Sequence, residues 1–186
     1  MKFLFDIFIS IIFIILFFWL FFIILILVKF DSKGPAIYWS KRVGKENIIF
    51  LMPKFRTMMI NTPQLATHLL KDGEKNITVI GKFLRRYSLD EIPQFYSVLI
   101  GKMSIVGPRP ALYNQYDLIN LRNKKNISSL LPGITGWAQI NGRDEISIPE
   151  KVELECNYMI KKNLIFDVKI IIMTIFKVLI KKNITH

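Results

Sequence analysis

Asp90 and Glu91 are adjacent carboxylates, five and six residues after Arg85 and shortly before Pro93. Neighbouring carboxylates among cations suit phosphoryl chemistry. One can attack a phosphorus centre and form an acyl phosphate. The other can hold Mg²⁺, an ion that takes one or two carboxylates together with substrate phosphates. A nearby cation offsets the charge that develops in the transition state. The same residues also fit a plainer pattern. Ser88 and Glu91 have capping-box spacing, and acidic residues in a first turn complement a helix dipole. Pro93 is tolerated only early in a helix, so a helix here starts later than Ser88 or kinks.

The cations that suit phosphate lie on turns. Lys54 and Arg56 belong to Lys54-Phe55-Arg56-Thr57-Met58, directly after Pro53, and Arg109 stands between Pro108 and Pro110. Flanking prolines restrict the backbone direction of that arginine, and a guanidinium fork matches phosphate oxygens. The alternative for Arg109 is a surface residue on a rigid turn. A third stretch, Pro132 through Arg143, sets Trp137 between glycine turns with Thr135, Gln139 and Asn141. Trp137, Gln139 and Arg143 can read a nucleobase or sugar, or the segment simply packs as a loop. His68 and His186 make no ligand cluster. The single cysteine, Cys156, excludes an internal disulfide framework or a cysteine-rich metal site and reads as a small buried hydrophobe.

These residues need elements to position them. Residues 36–57 read as two short strands around the turn Gly44-Lys45-Glu46-Asn47. Thr62-Pro63 starts a helix over 65–71, a second runs near 80–87, and Ser88 opens a third that ends at Gly101. From Gly101 to Arg143 the chain is turn-rich, with a short helix near 112–123. Ser147-Ile148-Pro149-Glu150 fits a capping box opening a helix to about Lys162. The last segment, 165–182, is apolar with Lys169, Lys177 and Lys181 within roughly 120° of one another on a helix. It is either an interfacial helix or a core helix with a solvated lysine edge.

The chain has 186 residues, 52% of them apolar, with a net charge of +12. That composition excludes a disordered chain and fits one domain. Ile7 to Val28 carry no charge over 22 residues, and only Ser10 is polar. As a helix this run reaches roughly 33 Å, enough for a hydrocarbon core. It is too long for an ordinary signal-peptide core, and no small-x-small cleavage site follows it. The first 30 residues hold Lys2, Lys29 and Asp6, so +11 of the charge falls on the remainder. Positive charge after the apolar run exceeds that before it, which places the cationic part in the cytoplasm. The reading is residues 1–30 as a membrane helix, re-entrant or spanning, and residues 31–186 as a cytoplasmic catalytic domain. The expected class is α/β, mostly helical with a small irregular sheet. A tethered cationic binder of anionic lipid or nucleic acid is the competing class. Cations interleaved with turns and carboxylates argue against nucleic acid.

Four stretches in order carry a resemblance: Lys54 to Met58, Ser88 to Gln94, Met103 to Pro110, and Pro132 to Arg143. Together they resemble the bacterial sugar transferases, the monotopic phosphoglycosyl transferases. The resemblance implies transfer of a sugar 1-phosphate from a UDP-sugar to polyprenol (undecaprenyl) phosphate, with release of UMP. It further implies Asp90 as nucleophile forming an aspartyl-phosphosugar. Glu91 would assist at an Mg²⁺ site and in acid–base work, with Lys54, Arg85 and Arg109 at phosphates. The setting it implies is the cytoplasmic face of the bacterial inner membrane, in the first membrane step of surface glycan assembly. There are departures. Many members break the N-terminal helix with Ser-Pro, where this chain has Phe18-Trp19. An Asn that often follows Gln94 is missing from Phe95-Tyr96-Ser97, and Lys102 replaces a usual acidic residue.

Overall fold

The computed structural model describes residues 1–63, 73–142 and 146–180. The helix expected over 65–71, together with Arg143, His68, Lys181 and His186, lies outside the described residues. The order is α1 (Lys2–Asp31), β1 (Ile37–Val43), β2 (Ile49–Phe55), α2 (Val79–Arg86), α3 (Gln94–Leu99) and β3 (Ser104–Val106). It continues with α4 (Tyr116–Lys124), β4 (Gly133–Thr135), α5 (Trp137–Ile140), α6 (Ile148–Lys161) and α7 (Leu164–Ile180). The chain is mostly helical, as expected. The strands form two separate pairs, an antiparallel β1–β2 hairpin and a parallel β3–β4 pair, where one small sheet was expected.

Residues 2–31 form one unbroken helix about 45 Å long at 1.5 Å per residue. With no Pro or Gly inside it, nothing kinks it at Phe18-Trp19. Its inner face is a stripe at helical spacing: Asp6, Ser10, Phe13, Phe21, Ile24 and Val28 all face the domain. Phe13 stacks on Phe95 of α3 at 3.9 Å between centroids, and Phe21 packs on Phe55 of β2 at 5.0 Å. The opposite face, including Ile15, Leu16 and Trp19, is exposed, Trp19 by 76%.

Polar contacts secure both ends of α1. At its N-terminal end the Asp6 carboxylate accepts from Ser104 Oγ at 2.7 Å and from the Ile105 N–H at 3.3 Å. Lys2 pairs with the buried Asp167 of α7 at 2.5 Å, and Tyr158 of α6 donates to Asp167 at 2.8 Å and to the Val106 carbonyl at 3.1 Å. At the other end Asp31 accepts from the Ile80 N–H of α2 at 3.0 Å. An aspartate within an apolar helix is thus the bolt between α1 and β3.

The expected capping box opens α6: Ser147 Oγ accepts from the Glu150 N–H while the Glu150 carboxylate accepts from the Ser147 N–H. α7 has one face in the core and one outside it. Asp167 and Ile170 are buried inward while Ile165, Ile172 and Phe176 are exposed. Lys177 is exposed, as a solvated lysine edge requires, and its ammonium also donates to the Ile140 carbonyl at the end of α5.

Asp6→Ala should lower unfolding stability by about 1–3 kcal/mol, because the buried Ile105 N–H loses its acceptor. Thermal unfolding of the detergent-solubilised protein measures this, and an unchanged midpoint would count against the bolt.

Candidate active site

Asp90 and Glu91 lie on a single 3-10 turn, Leu89–Glu91, between α2 and α3. The capping box expected from Ser88 and Glu91 does not form. Ser88 takes a left-handed conformation (φ 55°) with no side-chain cap, and Pro93 stands at the N-cap of α3. Proline forces the regular helix to begin after it, leaving the two carboxylates on a separate turn. A left-handed residue with a Cβ is sparsely populated backbone, held here by its surroundings. Both carboxylates are consequently buried, each 8% exposed.

Burial requires cations. Lys54, at the end of β2, places Nζ 2.9 Å from Glu91 Oε1 and 3.9 Å from Asp90 Oδ2. Arg109 Nη2 reaches the same Glu91 oxygen at 2.8 Å. Burial pushes the Asp90 carboxyl above the ordinary aspartate range. Lys54, Arg85 and Arg109 oppose that push, and the Glu91 charge adds to it. Burial likewise holds the Lys54 ammonium below the usual lysine range, against the pull of Glu91 and Asp90. Arg85, near enough to Asp90 to act on its charge, donates from Nε to Thr57 Oγ1 at 2.9 Å. The approach of α2 to Thr57 requires Gly81, where a Cβ would overlap the Thr57 carbonyl.

The Pro-Arg-Pro turn is held by its backbone. The Pro108 carbonyl accepts from the Gly133 N–H at 2.8 Å, that of Arg109 from Arg122 Nη2 at 2.9 Å, and that of Pro110 from Arg42 Nη1 at 3.1 Å. Arg122, on α4, also forks onto the buried Glu155 of α6 at 2.5 and 2.8 Å. Gly107 and Gly133 meet backbone to backbone, and a methyl on Gly133 would overlap the Gly107 nitrogen. The loop segments 107–110 and 131–136 are therefore one junction.

The other expected site residues have different surroundings. Arg56 is buried, and its guanidinium donates to the carbonyls of Ser32 and Lys33 at 2.7 and 2.5 Å, so it ties down the exit of α1. Trp137 packs on Phe166 of α7 at 5.1 Å. Gln139 donates to the Ile134 carbonyl at 2.9 Å, inside its own loop. Of the sequence candidates, Lys54, Arg85 and Arg109 gather around the carboxylates. Thr57, Arg42, Arg122 and Glu155 were not anticipated. Arg122 and Glu155 lie 33 residues apart in sequence, and no local pattern marks them as partners. Among the described residues no three His, Cys, Asp or Glu side chains form a metal cage. The donor set is the adjacent carboxylate pair.

The family model described as bacterial sugar transferase matches residues 1–181. The galactosyl transferase CpsE of Streptococcus agalactiae is 40% identical over 79% of this chain and 35% of its own length. The UDP-glucose:undecaprenyl-phosphate glucose-1-phosphate transferase of Escherichia coli is 39% identical over 95% of this chain and 40% of its own length. The exopolysaccharide production protein ExoY of Sinorhizobium fredii is 33% identical over 92% of this chain and 82% of its own length. The chain thus spans well under half of the first two relatives and most of the third.

Asp90 must be ionised to act as a nucleophile, so the acid limb of kcat/KM should lie above the ordinary aspartate range. Arg85 lowers the Asp90 pKa, so Arg85→Gln should move that limb to higher pH. A pH–rate profile of the two proteins decides the point, and a limb that stays or moves down contradicts the electrostatics.

Proposed function

Because the chain belongs to the bacterial sugar transferase family, we propose that it moves a sugar 1-phosphate from a UDP-sugar to polyprenol phosphate and releases UMP. The observation that carries this reading is the buried Asp90–Glu91 pair with Lys54 and Arg109 on one Glu91 oxygen and Arg85 beside Asp90. Relatives are named as undecaprenyl-phosphate transferases of glucose 1-phosphate and N-acetylgalactosamine phosphate, and as exopolysaccharide proteins. Those names support the substrate class and the surface-glycan setting.

In this reading an Asp90 carboxylate oxygen attacks the sugar-bearing phosphorus. The bond from that phosphorus to the bridging oxygen breaks, and its electron pair leaves with UMP. An aspartyl-phosphosugar remains. A phosphate oxygen of the polyprenol phosphate then attacks the same phosphorus, and the Asp90 carboxylate departs. Lys54, Arg85 and Arg109 offset the negative charge as it moves. Glu91 holds Lys54 and Arg109 in place and keeps the two cations from repelling each other. The adjacent carboxylates fit Mg²⁺, an ion that takes one or two carboxylates together with substrate phosphates. Asp90 and Glu91 would supply the protein oxygens, and bound Mg²⁺ would neutralise phosphate charge.

The setting in this reading is a membrane surface. Soluble domains rarely leave an apolar face as large as the outer side of α1 in water, so a lipid contact there follows. Both ends of α1 bond to the same domain, Asp6 to β3 and Asp31 to α2. In this reading the helix lies along the catalytic domain with both ends on one side of the membrane, as in the re-entrant alternative, but without a break. The cytoplasmic face is supported by the charge bias around the apolar run, and the inner membrane by the family resemblance.

UMP release from UDP-sugars in the presence of polyprenol phosphate and Mg²⁺ tests the reaction. Asp90→Asn should abolish turnover and capture of sugar phosphate on the protein, and near-native activity in that variant would refute covalent catalysis. For the topology, Phe3→Cys places a thiol at an exposed position near the N-terminus. A reagent confined to the outside of intact cells should leave it unlabelled, whereas labelling would show that α1 crosses the bilayer.

A further inference from the structure

The Pro-Arg-Pro turn offers consecutive carbonyls, and each has its own donor. Pro108 receives the Gly133 N–H, Arg109 receives Arg122 Nη2, Pro110 receives Arg42 Nη1, and Ala111 receives the Val43 N–H at 3.0 Å. Two of these four donors are arginine side chains from distant elements, β1 and α4. Arg122 is itself 8% exposed and forked onto Glu155, which is 2% exposed. A buried ion pair is weak as a source of stability, since an apolar pair of similar volume often serves as well. What an apolar pair cannot supply is the N–H aimed at the Arg109 carbonyl. The backbone that receives this N–H carries the side chain contacting Glu91 at 2.8 Å.

We infer that Arg122, fixed by Glu155, and Arg42 are positioning residues that aim Arg109 by gripping the carbonyls of its own turn. The chain of contact runs from Glu155 through Arg122 to the Arg109 carbonyl, then along the Arg109 side chain to Glu91. Arg42 braces the same turn one residue later while its Nε donates to Ser40 Oγ at 3.0 Å. Arg42 also lies near enough to Lys54 to act on its charge. The inference rests on the reading of Arg109 as a phosphate-facing cation, and it extends that site to α4, α6 and β1.

The test is a folded variant without the grip. Arg122→Met with Glu155→Leu removes the ion pair and leaves no buried charge behind. The double variant should keep its unfolding midpoint near that of the parent and lose about 100-fold in kcat, the order expected for an ångström-scale misplacement. In an Arg109→Ala background the same pair of substitutions should cause little further loss, because the grip works through Arg109. Full additivity there, or a folded variant with parental kcat, overturns the inference. Arg42→Met is the second probe, independent of the α4–α6 pairing, with an expected loss of about tenfold and the same lack of additivity. A turnover-free arm uses hydrogen exchange at the Gly133 amide, which should speed up when the turn loosens. Unchanged protection in both variants also overturns it. If the parent protein releases no UMP, the proposed reaction fails, while the exchange arm still reports whether the arginines hold the turn.

Discussion

Two carboxylates on neighbouring residues, both withdrawn from water, stay ionised only if cations are brought to them. That requirement organises the rest of this molecule. Ser88 and Pro93 isolate Asp90 and Glu91 on one short turn, so no regular helix carries them. Lys54 then arrives from the hairpin and Arg109 from the proline-bounded turn, sharing a single Glu91 oxygen. Burial and the neighbouring Glu91 charge leave the Asp90 carboxyl above the ordinary aspartate range, with Lys54 at 3.9 Å opposing them. In the proposed reaction a raised pKa makes Asp90 a better nucleophile once ionised, at the cost of the acid end of the pH range.

Two of the three cations depend in turn on a close approach of backbones. Gly81 lets α2 press on Thr57, which holds Arg85. Gly107 and Gly133 let the two turn-rich segments touch, which sets the turn bearing Arg109. Behind them α1 lies against α3, β2 and β3, bolted at Asp6 and Asp31. The helix that reads as an anchor is also a wall of the domain. The carboxylate turn runs directly into α3 and α1 packs on α3, an arrangement that suits the proposed chemistry on a lipid-borne phosphate.

Local patterns were legible where the signal is short-range. The Ser147 capping box, the hairpin around Gly44 and the helix ending at Arg86 follow from capping, turn and propensity rules. The Asp-Glu pair and the cations Lys54 and Arg109 were legible as candidates because adjacent carboxylates and turn-borne cations suit phosphoryl chemistry, and Arg85 because the family resemblance implied it. The β3–β4 pair was not legible, because three-residue strands carry no usable periodicity. Arg56 was read with its neighbour Lys54 as a phosphate cation. Residues two apart on an extended backbone point to the same face, but β2 ends at Phe55, so that rule no longer governs Arg56. Asp6 was counted only as a charge before the apolar run, although it is the residue that fastens the run to the domain.

The sequence by itself determined the long apolar helix, the reactive residue types and the turns that carry them, because these depend on neighbours within a few positions. Four ordered motifs also sufficed to place the chain in its family. Tertiary structure alone decided which cations meet which carboxylate and that both ends of α1 return to one domain. It also decided that Arg122 and Glu155, far apart in the chain, join beneath Arg109. Those outcomes depend on distances between elements, and the physical reason is desolvation. A charge buried by one segment must find its partner on another, and only the packed fold brings the two within hydrogen-bonding reach.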